Sequence, residues 1–285
     1  MKKLLIILSL TAILFPLQYS AYSQNNMGKP PLDGVYNKLN TPNREPIPYT
    51  SLREADVMWS KRIWRVIDMR QKINLPLYYP IREQTGRKSL MQLIYNGIMK
   101  EQSITAYTTD NEEFLTPITP AELTKTLDQQ DTMTMTRLDP PYDQYDSVIS
   151  NPFDASSVYL MRVKEDWFFD KQRSVMDVRI IGLCPYMEEY DEFGEPKGFK
   201  PLFWVYFPQC RKIFANNEVY NKWNDAERRT YEDIFFKRLF GSYIYKESNV
   251  YDRRIYQYAK GMDGLLEAER IKQELFEKEH DLWEY

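Results

Sequence analysis

The sequence predicts an α+β fold, an antiparallel central sheet with flanking N-terminal and C-terminal amphipathic helices. Three observations carry that expectation. Residues 158–208 are dense in aromatic and β-branched side chains broken by turn signals. Residues 51–73 repeat apolar side chains at three- and four-residue steps, and residues 263–282 do so at near-heptad spacing.

The chain opens Met1-Lys2-Lys3, runs apolar from Leu4 to Leu17 and reaches Ala21-Tyr22-Ser23 before Gln24, the order of a secretory signal peptide spanning residues 1–23. The apolar run is shorter than the roughly 20 residues of a membrane span, and it contains Pro16. A lipid-anchored protein would expose a cysteine after cleavage; Gln24 stands there, so the mature chain is expected to lack an anchor of its own. Residues 24–50 hold Pro30, Pro31, Pro42, Pro46 and Pro48 and read as an extended arm.

The core domain is placed at residues 51–261. Ser51-Leu52-Arg53-Glu54 has a capping-box pattern, and Leu52, Ala55, Trp59, Ile63, Val66, Met69 and Ile73 predict a six-turn helix ending near Pro76. A second helix is expected from Ser89 to Glu101, followed by a strand over residues 102–108. Thr119-Pro120-Ala121-Glu122 starts a third helix. Residues 128–154 read as a long loop with a short strand at 132–137. Tyr159–Phe169, Val175–Cys184 and Leu202–Phe207 form a three-stranded meander with a long second turn. Asn224 caps a helix carrying Tyr231, Ile234, Phe235, Leu239 and Tyr243, Gly241 limits it, and residues 242–248 add a strand. After Gly261, residues 262–285 form a C-terminal helix with Leu265, Ala268, Ile271, Leu275 and Leu282 along one side.

Composition narrows the chemistry. Removing residues 1–23 leaves 36 of the 38 basic residues against 41 acidic ones, which excludes a polybasic nucleic-acid surface. His280 is the only histidine, so a Ser-His-Asp or Cys-His mechanism would have to run through a charged helix near the chain end. Neither a histidine/cysteine metal site nor a phosphate-cradling glycine pattern is present, and no cofactor is expected. The Glu188–Glu192 run lacks the spacing of a calcium loop and suits a solvated turn. Paired carboxylates need no local motif, so a periplasmic carboxylate-based hydrolase is the enzyme alternative. Cys184 and Cys210 lie equally far from residue 197 in the second turn, so a hairpin centred there would let them bond; the other reading is two separately buried thiols. The 22 Tyr and 6 Trp suit either a tyrosine-rich core or half-buried partner contacts. On the terminal helix, Leu275, Phe276, Leu282 and Trp283 form an apolar strip that either docks a partner or packs on its own domain.

Several long blocks then stand out: Leu52 to Asp68 (LREADVMWSKRIWRVID), Glu165 to Gly182 (EDWFFDKQRSVMDVRIIG), Leu202 to Pro208 (LFWVYFP), Asn224 to Arg238 (NDAERRTYEDIFFKR) and Glu279 to Trp283 (EHDLW). In this order they resemble the GldN family of gliding-motility proteins, called PorN in non-gliding relatives, over nearly all of residues 50–285. The resemblance implies a non-enzymatic periplasmic component of the type IX secretion system of Bacteroidetes. It implies self-association in a ring with a GldK/PorK-like outer-membrane lipoprotein, and contact with a GldM/PorM-like periplasmic protein that links the ring to the inner-membrane motor. It carries no catalytic residues over to this chain.

Overall fold

Val57, Trp59, Ile63, Trp64, Val66 and Ile67 are β-branched or aromatic, shapes that fit a pleated surface better than a helical turn. They make strand β1 (Val57–Asp68) where apolar spacing predicts a helix. Its first half alternates half-buried and exposed side chains, while residues 63–67 are buried without a break because both faces are covered there. The expected Ser51 box does not form; Glu54–Asp56 is a single 3-10 turn.

The computed structural model describes residues 35, 41–84, 86–136, 144–151, 153–190, 195–224 and 226–281. The signal peptide, the arm before residue 41 apart from Val35, and Leu282 and Trp283 lie outside them. After β1 come the short helix α1 (Leu75–Tyr78) and α2 (Leu90–Met99). In α2, Gln92 N–H donates to Ser89 Oγ and Ser89 N–H to Gln92 Oε1, the reciprocal box its sequence predicts. The strand pair β2 (Ala106–Tyr107) and β3 (Pro117–Ile118) precedes α3 (Pro120–Leu127), which opens on the same kind of box between Thr119 and Glu122.

Residues 128–154 are not a loop. Strands β4 (Gln129–Thr136) and β5 (Gln144–Asn151) pair antiparallel over their full length in a sheet of their own. The long hairpin β6 (Val158–Asp170) and β7 (Val175–Tyr190) follows, then β8 (Pro196–Pro201) and β9 (Trp204–Tyr206). Pro208 does not stop the chain but sits in the first turn of α4 (Phe207–Asn216), where its missing N–H costs nothing. Helix α5 (Tyr231–Phe236) begins at a Thr230–Asp233 box and not at Asn224, whose side chain accepts from Ala226 N–H in a turn. Strand β10 (Tyr243–Glu247), α6 (Ile255–Tyr258) and α7 (Met262–Asp281) complete the chain.

The main sheet runs β10-β1-β6-β7-β9-β2-β3, with β8 also paired to β7, and every pairing is antiparallel. One face carries Ile67, Met161, Val163 and Leu183 against α2, α4 and α5. Phe207, Phe214 and Phe235 meet there with ring centroids 5.4–5.9 Å apart. Further along, Ile63 and Ile244 pack against Ile255, Ile271 and Leu275. Register turns Val66, Arg162 and Cys184 to the opposite face, with Trp64, Tyr186, Trp204 and Tyr245.

A buried ion network sits between the sheet and the chain that follows α5. Glu165 has no exposed surface; Arg65 Nε donates to its Oε1 at 2.5 Å, Trp167 Nε1 donates to the same oxygen at 2.9 Å, and Arg238 Nη1 lies 2.8 Å from Oε2. Residues 41–50 form no helix or strand and are strapped down by side chains. Arg44 makes two 2.8 Å bonds to Asp233, Thr41 Oγ1 donates to Glu218 at 2.7 Å, and the Tyr49 ring lies 3.9 Å from the Arg211 guanidinium.

The cysteine pairing expected from a hairpin centred on residue 197 is not formed. Tyr186 faces Pro201 and Glu189 faces Gly198, and the chain then turns into α4 before reaching residue 210. Cys184 lies among Trp64, Tyr186 and Trp204, Cys210 in the helix-side core, and both are free. Burial pushes both thiols well above their ordinary pKa, which removes the reactive thiolate.

Three outcomes are expected. Glu165→Ala leaves Arg65 buried without its counter-charge and lowers unfolding free energy by about 3–5 kcal/mol, whereas Arg62→Ala, at a part-exposed pair with Asp166, costs less than about 1 kcal/mol; urea unfolding of both variants measures the contrast. Burial opposes ionisation of Asp233, but its bonds to Arg44 and Thr230 prevail and hold the carboxyl below its ordinary value. That contribution is full above the unfolded carboxylate pKa of about 3.9 and is lost as pH falls through the lower folded value, so acid titration of Arg44→Ala should show a smaller loss of stability across that window. Finally, intact mass should not change on reduction, and alkylation should need denaturant; a mass lower by two hydrogens without reductant would restore the disulfide.

Candidate interaction surface

Among the described residues no group of three or more His, Cys, Asp or Glu is placed to hold a metal ion. Acid–base chemistry finds its best setting in a 350 Å³ pocket that Asp177 and Glu232 line beside the Ile47–Thr50 strap. Both acids are held by arginine there: Arg173 Nη2 donates to Asp177 at 3.0 Å, and Arg211 Nε to Glu232 at 2.8 Å. Burial raises the Glu232 pKa against the pull of Arg211, and its Oε2 has no hydrogen-bond partner among the described residues. His280 falls in the last turn of α7, on an exposed stretch.

The sheet face opposite the large helical core has a different chemistry, with cations laid between aromatic rings. Arg162 CZ lies 4.0 Å from the Tyr186 ring centroid and 4.5 Å from that of Tyr245; Lys246 Nζ stands 4.3 Å over Trp64, and Lys164 Nζ 5.2 Å over Phe114. The two lysines are answered. Lys246 pairs with Asp252 at 2.7 Å and Glu112 at 3.5 Å, and Lys164 donates to the Glu112 carbonyl. Arg162 has no carboxylate within ion-pair distance among the described residues. Burial pushes the Tyr186 and Tyr245 hydroxyls up, and the buried Tyr245 Oη lacks a hydrogen-bond partner. Sequence reasoning missed this face. Its signal is the period-two placing of Arg162 and Lys164 between Met161 and Val163, which opposes Trp64 and Val66 only once β1 is a strand.

The terminal strip is split. Leu275 is buried with Ile271 against Ile63, Ile244 and Ile255. Phe276, about 100° further round the helix, is 63% exposed. Leu282 and Trp283 lie outside the described residues. Other large apolar side chains are exposed on the same elements, among them Tyr256, Met262, Leu265 and Leu266. Leu265 and Tyr256 line a 360 Å³ pocket with Tyr243, Tyr245, Tyr186 and Arg162, so the apolar start of α7 meets the cation–aromatic face there. A second groove of 830 Å³ runs past Tyr79, Ile81, Arg82 and Tyr220.

Comparison with curated proteins gave no match. The family described as "Gliding motility associated protein GldN" matches residues 52–284. That span takes in the whole main sheet, the buried Glu165 network and α7. The match covers most of the chain, which therefore belongs to the GldN family, proteins associated with gliding motility and type IX secretion.

Proposed function

We propose that the chain is a non-enzymatic structural subunit of the type IX secretion and gliding machinery. In this reading it is exported to the periplasm, associates with itself in a ring, joins a GldK/PorK-like outer-membrane lipoprotein and contacts a GldM/PorM-like periplasmic protein. The observation that carries the reading is the set of large apolar side chains left exposed on α6 and α7 in a chain of this family, since exposed apolar surface of that kind marks contacts with other proteins. The arginine pairing of the buried acids argues against the carboxylate-based hydrolase, which needs two carboxyl groups open to substrate. No described helix is long and apolar enough to cross a membrane, consistent with attachment through a lipoprotein partner.

Removing α7 would not test docking cleanly, because Ile271 and Leu275 are part of the core. The test is a full-length chain carrying Leu265→Ser, Leu266→Ser and Phe276→Ser, purified from native envelopes. The wild type should run as a large particle containing the lipoprotein. The variant should keep its unfolding midpoint within the range of surface substitutions, about 0.5 kcal/mol per site, and lose at least tenfold in co-purified partner. A wild-type chain recovered alone, or one that turns over a substrate, overturns the proposal.

A further inference from the structure

Arg162 lacks an acid in a chain that has more acids than bases. The Tyr186 and Tyr245 rings lie 4.0 and 4.5 Å from its guanidinium carbon, a packing that restrains the group before any anion arrives. A guanidinium so placed is suited to two parallel bonds to one carboxylate. Around it the 360 Å³ pocket is walled by Val66, Leu160, Ile244 and Leu265, and Tyr243 and Tyr256 stand partly exposed among its lining residues. The matching ligand is an acidic side chain flanked by large apolar ones. The chain contains such a segment just beyond the described residues, Leu282-Trp283-Glu284-Tyr285.

A chain's own segment cannot reach this pocket. On α7 the pocket is lined by residues up to Ala268. From Leu265 to Asp281 the helix advances about 24 Å, and three further residues span at most about 10 Å. We propose that the Arg162 pocket receives residues 282–285 of a second copy, Glu284 pairing with Arg162 and Trp283 entering the aromatic lining. The inference rests on the ring reading above and names one of its contacts. The end of one α7 meets the start of the next, so donor and acceptor surfaces differ, and such a contact propagates from copy to copy until a ring closes.

The test is disulfide cross-linking in envelopes of cells producing the full chain with Leu265→Cys and Tyr285→Cys; the native thiols are buried and do not compete. The expected result is a ladder of dimers, trimers and higher species, absent from either single variant alone and restored as dimers when the two single variants are co-produced. Arg162→Glu should cut the ladder at least tenfold, and so should Glu284→Arg, which lies outside the packed core and keeps the test valid if the Arg162 variant misfolds. Combining the two should recover it. Internally closed monomers, a product that stops at dimers, or no cross-link overturns the contact. Particle size in the same envelopes separates the cases: a large complex without the ladder leaves the ring reading standing, and a monomer removes both.

Discussion

A carboxylate with no exposed surface dictates how the middle of this protein is put together. Removing an ion from water costs several kcal/mol, and only close opposite charge with good hydrogen bonds offsets it. Glu165 draws its partners from β1 (Arg65), from its own strand (Trp167) and from the segment after α5 (Arg238). Arg238 reaches it from a left-handed backbone conformation, φ 53°, as the chain leaves α5. That bend precedes β10, so the same carboxylate that fixes β1 against β6 also sets the approach of the edge strand.

Strand β10 in turn supplies Tyr245 and Lys246 to the opposite face, and without them Arg162 would keep only one aromatic neighbour. The two faces divide the labour. The large helical core is dry and closed, with phenylalanines in contact across α4 and α5. The other face mixes rings and cations, which holds charge near a low-dielectric surface without burying it completely. Glu112 answers both lysines of that face, through its carbonyl and its carboxylate. The guanidinium is left for something else.

What could be read from the residues was what depends on neighbours in sequence. Ser89 with Gln92 and Thr119-Pro120 with Glu122 start helices by satisfying their own first amides, and no distant residue alters that. The β6–β7 hairpin and α7 were equally legible, because alternation or heptad spacing continues for many residues. The errors came where distant contacts decide. A strand covered on both faces loses its alternation, so residues 63–67 of β1 offered helical spacing by coincidence. Pro208 reads equally as a strand end and a helix start. β4 and β5 are rich in Thr, Gln, Asp and Ser, and they become strands by pairing with each other. For the surface, the spacing picked out Leu275, but which side of α7 faces Ile63 could not be known before β1 was a strand, and Phe276 falls on the other side.

The terminal helix settles the choice between packing and docking by doing the first at one place and leaving room for the second at others. Only Ile271 and Leu275, one turn apart, are fully buried along its 20 residues. Arg270 with Glu267 and Lys272 with Glu269 lie on its exposed sides, three residues apart, where such pairs support a helix locally. A rod anchored near its middle and stiffened along its length presents two unlike ends, an apolar start at Met262–Leu266 and an acidic finish toward Asp281. A subunit of a closed ring must offer its neighbours two different surfaces at a fixed separation, and a helix held in this way supplies both the difference and the spacing.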